Sequence, residues 1–119
     1  MEMPQKKPRA INLFDVPPEV AAASGVKEVG LVQLTTEEEL LCFKRAKGDN
    51  AKLAMELSKT ALVEADGKVL SQHDGSVDTF WKDCDPKLRQ LVLTAYAELH
   101  AAPEEDQQAF LKSRRTRVA

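Results

Sequence analysis

The sequence predicts a mainly α fold: a small helical domain with a minor β-strand and hairpin element and an extended N-terminal arm. Three observations lead there. Most helical stretches after Thr35 open on a capping residue or proline, and several place acids first and bases last, matching the helix dipole. The β signals shrink to one Val/Leu-rich run and one Asp-Gly turn. Four of the six prolines, Pro4, Pro8, Pro17 and Pro18, lie in the first 25 residues.

Residues 1–25 read as a proline-rich arm. Its one sticky piece is Ala10 to Val16, with Ile11, Leu13, Phe14 and Val16. Such a segment is expected to be extended or partly ordered and to dock one short apolar piece. A helical domain follows over 26–111, then a basic tail over 112–119. Val26 to Leu34 alternates loosely and is expected to be a strand.

Thr35 and Thr36 open the next element. Threonine followed three residues later by Glu38 or Glu39 makes a capping box. Glu37, Glu38 and Glu39 fill the first turn, Lys44, Arg45 and Lys47 the last, and Gly48 ends the helix. Leu40, Leu41, Phe43 and Ala46 are its candidates for burial. Asp49 caps a second helix, on which Leu53, Ala54, Leu57 and Ala61 make one stripe. Asp66-Gly67, between two short Val/Leu runs, signals a type I′ hairpin that must pack on helices to persist.

Ser76 is positioned to cap a short helix carrying Val77, Phe80, Trp81 and Cys84 at i, i+3, i+4 and i+7. Asp85 caps the next helix and Pro86 sits in its first turn, where a missing N–H costs nothing. Leu88, Leu91, Val92, Ala95, Tyr96 and Leu99 then form a stripe wide enough to face a core, with Trp81 packed against it. Pro103 stops that helix, and Glu104 to Arg115 form a last one, acids first and bases last.

One domain's worth of chain is present, 119 residues at 43% apolar and 5% aromatic, so aliphatic side chains do most of the packing. The net charge of −2 hides an asymmetry: the first nine residues carry +2, the last eight +4, and residues 10–111 carry −8. An acidic body with two short basic ends argues against a nucleic-acid groove. Neither a secretory leader nor a membrane-spanning run is expected. Cys42 and Cys84 form no metal or redox spacing and read as thiols of a reducing compartment.

Catalytic patterns are missing from the sequence. No phosphate-cradling glycine loop, nucleophile elbow or H-E-x-x-H occurs. His73-Asp74 resembles a base with its orienter but specifies no nucleophile, and His100 reads as a cation complementing a helix C-terminus. Asp74, Asp78, Asp83 and Asp85 cluster without the spacing of a calcium loop. The expectation is a non-enzymatic protein with no cofactor and no metal.

The order of segments "LTTEEELLCFKRAKGD", "AMELSKTALVEADGKVLSQHDGSVDTFW", "DPKLRQLVLTAYAELH" and "FLKSRRTRV" resembles the tail assembly chaperones of long-tailed bacteriophages, over about residues 26–118. The resemblance implies a protein of the host cytoplasm, absent from the mature virion. It implies binding to the tape-measure protein, recruitment of the major tail (tube) protein, and self-association into a homo-oligomer. Two other classes remain open: a structural tail protein of completion or connector type, and a nucleic-acid-binding phage regulator. With the main stripe consumed by the core, the residues left to grip a partner are Ile11, Leu13, Phe14 and Val16 in the arm, Leu41 and Phe43 on the first helix, and Phe110 and Leu111 near the end. On this reading, removing residues 1–25 leaves the melting temperature nearly unchanged while weakening assembly; the alternative is that Phe14 folds back onto this chain's own core, in which case the deletion unfolds the domain.

Overall fold

The computed structural model describes residues 9–118. The elements run β1 (Asn12–Asp15), α1 (Pro18–Ser24), β2 (Glu28–Leu31), α2 (Thr36–Ala46), α3 (Asn50–Ala61), β3 (Leu62–Ala65), β4 (Lys68–Val69), α4 (Ser76–Asp83), α5 (Pro86–His100) and α6 (Glu104–Lys112). The domain is mainly α with a minor β part, and the β part is an antiparallel sheet in the order β1-β2-β3-β4.

The helix ends follow from the chemistry of the caps. At α2, Thr35 Oγ1 accepts the Glu38 N–H while Glu38 Oε1 accepts the Thr35 N–H, the reciprocal box that satisfies two orphan donors. Asp49 and Asp85 accept the amides of Lys52 and Lys87 at α3 and α5. Ser76 does not cap α4. The cap position is Gly75, in the left-handed region at φ 75°, and Asp74 Oδ1 accepts the Ser76 N–H. The Ser76 hydroxyl instead accepts the Ser71 N–H and donates to the Ser71 carbonyl, closing the turn in front of the helix. Asp66 and Gly67 sit at φ 49° and 78°, the positive pair that a type I′ hairpin turn requires.

The sheet extends one strand beyond the expected set, and that strand comes from the arm. β1 pairs with β2 through Phe14↔Val29 and Leu13↔Gly30. Residues 9–25 are therefore part of the domain, which corrects the reading of an extended arm; residues 1–8 lie outside the described residues. Pro18 opens α1 at a position needing no N–H, and Gly25 closes it at φ 74°. Phe14, Val16 and Val20 pack against the core.

One face of the sheet is the core face. Val29, Leu31, Leu62 and Ala65 meet Val77, Trp81, Leu88, Val92 and Ala95 from α4 and α5. Leu62 and Ala65 are three apart, an impossible spacing for one face of a regular strand. A bulge resolves it: Gly30 pairs with Glu64 but Leu31 pairs with Leu62, leaving Val63 as the extra residue. On the opposite face Leu13, Gly30, Glu64 and Val69 stand side by side across the four strands. Gly30 has no room for a side chain there. A Cβ would lie 2.8 Å from Ile11 Cγ2 and 3.0 Å from Glu64 Cβ.

Packing departs from the predicted stripes in three places. On α2 only Cys42 and Ala46 are buried; Leu40, Leu41 and Phe43 are exposed, because that helix is covered on one narrow side by α3. On α3 Ala54 is exposed and Ser58 is buried, its hydroxyl satisfied by the Ala54 carbonyl. On α5 Leu91 lies at the edge of the core and is exposed.

Candidate functional site

Several of the chemistry-bearing side chains have structural partners, while His73 and Asp83 are exposed. Asp74 and Asp85 hold helix starts, and Asp78 pairs with Lys59 Nζ at 2.8 Å, tying α4 to α3. Burial disfavours the Lys59 charge, but Asp78 and Glu56 outweigh it and raise its pKa. Asp74 is lowered by its hydrogen bonds from Ser76. Cys42 is buried 3.4 Å from Thr60 Oγ1 and Cys84 is half-buried, its thiol pushed up by burial.

His100, at the C-terminal end of α5, also reaches beyond its own helix. Its Nε2 accepts the Leu34 N–H at 2.8 Å, and Nδ1 donates to the Tyr96 carbonyl at 2.8 Å. An accepting Nε2 carries no proton, so the partners select the neutral Nδ1–H tautomer in this arrangement. The ring thus pins the end of α5 to the segment between β2 and α2 and stacks on Tyr96 at 4.1 Å between centroids. Sequence spacing could not reveal a bond across 66 residues.

Tyr96 carries a pH signature. Burial, then the charges of Glu39 and Cys42, push its hydroxyl from 10.0 up to about 12. The unfolded chain loses this proton near 10 while the folded chain keeps it. Stability from this group is therefore present below pH 10 and lost as pH rises toward 12. Chemical denaturation across that window should show the decline. Tyr96 is the only tyrosine, so tyrosinate absorbance reports it alone, and Tyr96→Phe should flatten the decline.

What remains available to a partner is apolar surface, and it falls in separate places. The first is the outer side of α2, where Leu40 and Phe43 are 56% and 55% exposed beside Leu41. One turn on, Lys44, Arg45 and Lys47 give it a basic flank. The second is a groove of about 280 Å³ between β1 and α5. Its floor is Phe14, Val16, Val29, Leu88, Leu91 and Ala95, and Asp15, Thr94 and Glu98 also line it. The third is α6, on which every residue is exposed, Phe110 by 77% and Leu111 by 64%.

The eight predicted partner residues are split among these and the open sheet face. Ile11 and Leu13 are exposed on the sheet face away from the helices, over Gly30. Phe14 and Val16 turn inward and line the groove. Leu41 and Phe43 are on α2, and Phe110 and Leu111 on α6. Leu40, a candidate for burial and not among the eight, joins Phe43 outside. Its signal was present: Leu40 and Phe43 are three apart and share a helix face with Lys44 and Lys47.

Comparison with protein-family models, with curated proteins and with solved structures returned no match. Among the described residues, no helix is long and apolar enough to cross a membrane.

Proposed function

We propose that this protein is a tail assembly chaperone of a long-tailed bacteriophage, a non-enzymatic factor that binds the tape-measure protein and helps recruit tail-tube subunits. It acts in the host cytoplasm during tail assembly and leaves before the virion is complete. The observation carrying the reading is the outer side of α2. A helix held on one narrow side by α3 offers Leu40, Leu41 and Phe43 to solvent. A long amphipathic helix such as a tape-measure protein needs many modest apolar contacts from a soluble coat, and an exposed helical face supplies them. The resemblance of residues 26–118 to the family supplies the identity of the partner; the surface alone supplies its chemistry.

The test is co-expression with a tape-measure protein of a long-tailed phage, taken from the same genome, followed by affinity capture and measurement of soluble yield. Wild type should keep the tape-measure protein soluble and co-purify with it. Phe43→Glu should lose both, while changing the melting free energy within about 0.5 kcal/mol, as expected at an exposed site. Failure of the wild type to bind sinks the chaperone reading. Normal binding by Phe43→Glu moves the interface off α2.

A further inference from the structure

We infer that α6 docks in the β1–α5 groove of a second copy of this chain, so that two protomers exchange their C-terminal helices reciprocally. The expectation of self-association rests on the chaperone reading; the contact named here is read from this chain's own surfaces.

Two unpartnered features of the same molecule complement each other. The groove is apolar along its floor, with Asp15 and Glu98 at its rim. Among the described residues, neither acid has an ion-pair partner. The last turn of α6 presents Phe110 and Leu111, followed at once by Lys112, Arg114, Arg115 and Arg117. An apolar knob with a basic tail matches an apolar slot with an acidic rim. Lengths also agree: nine helical residues span about 12 Å between first and last Cα, against about 15 Å for the Leu88–Glu98 stretch of α5 beside the groove.

The groove of the same chain is a poorer seat. Only Ala101, Ala102 and Pro103 separate α5 from α6, so a fold-back would run antiparallel. It would set Glu104, Glu105 and Asp106 over the end of α5 that carries Glu98, acid against acid. The linker is also braced outward. Ala101 and Pro103 are extended, and Gln107 Nε2 donates to the Ala102 carbonyl at 2.6 Å. A second copy has no such constraint on polarity and can lay the basic end of α6 against Glu98. Reciprocal exchange then closes the assembly as a two-fold dimer.

The experiment is sedimentation over a concentration series with full-length chains. Wild type should dimerise. Phe110→Asp disables the helix, and Thr94→Arg blocks the groove with a bulky cation; both sites are exposed, so both variants should melt like the parent. Each alone should weaken the dimer by about 100-fold or more, since each removes both contacts of a symmetric pair. Mixing the two restores one intact contact, an unblocked groove meeting an unaltered helix, and should recover a mixed dimer. A wild type that stays monomeric, whether or not α6 folds back on its own chain, overturns the proposal. So does a dimer that survives Phe110→Asp, or a pair of variants that does not associate on mixing.

Discussion

Trp81→Ala is expected to lower the unfolding free energy by about 3–5 kcal/mol, a large share of the roughly 5–15 kcal/mol of a typical domain. Trp81 is 6% exposed and packs with Val77, Leu88 and Val92, joining α4 to α5 and to the sheet. It is the only tryptophan, and the partly buried rings beside the core, Phe14, Phe80 and Tyr96, are smaller than an indole and would fill the void only in part. Its indole Nε1 is buried without a hydrogen-bond partner. That detail separates packing from polarity. Trp81→Phe keeps most of the ring volume and deletes the unpaired N–H, whose burial costs about 1–3 kcal/mol, so the two changes should nearly offset. Urea denaturation of both variants provides the measurement. An alanine variant melting within a few degrees of wild type would place Trp81 outside the core.

The parts of this fold that were legible in the sequence are those decided within a few residues. Thr35 with Glu38, Asp49 and Asp85-Pro86 each act on amides within one turn, and Asp66-Gly67 adopts the positive φ pair of its turn, so each does in the structure what local chemistry dictates. Leu88, Val92 and Ala95 are buried at the predicted i, i+4, i+7 positions. Coverage is the part a helical period cannot supply. Spacing says that Leu40 and Phe43 share a face, but whether another element lies over that face is decided by the rest of the chain. On α2 nothing covers it, and the small Cys42 and Ala46 face α3 instead.

The β1 strand was illegible for a related reason. Four residues set among prolines give no run long enough to read, and their pairing partner lies beyond α1. The same distance hides the exposed surfaces. Phe14 and Val16 were singled out as sticky, which is right as chemistry, yet alternation along β1 sends Phe14 to the core face and Leu13 to the opposite one. The signature of α1 was present in Pro18, Glu19 and Gly25, a start, an acidic first turn and a stop, but seven residues with one apolar anchor, Val20, fall short of a stripe.

A chain beginning at Val26 is therefore expected to be severely destabilised, in place of the unchanged melting temperature that an arm would give. The truncation removes Phe14, Val16 and Val20 from the core margin. Each is half-buried, so each contributes on the order of 1 kcal/mol. It removes the β1–β2 ladder and the Val16 N–H bond to the Lys27 carbonyl at 2.8 Å. It also removes the 2.7 Å pair of Arg9 with Glu38, which as a surface contact adds at most about 1 kcal/mol. The total reaches roughly 4–6 kcal/mol, against 5–15 kcal/mol for a typical domain. The larger consequence is at β2. β2, with Val29 and Leu31, becomes an edge strand with open backbone groups, a template for pairing between chains. The truncated protein should lose its cooperative melt by circular dichroism and aggregate on concentration. A finer version uses neighbours: Phe14→Ala should cost about 1–2 kcal/mol, while Leu13→Ala, 57% exposed one residue away, should stay within about 0.5 kcal/mol. Equal effects at the two positions would mean that β1 does not lie on the sheet in this register, and the loss of cooperativity would then need another cause.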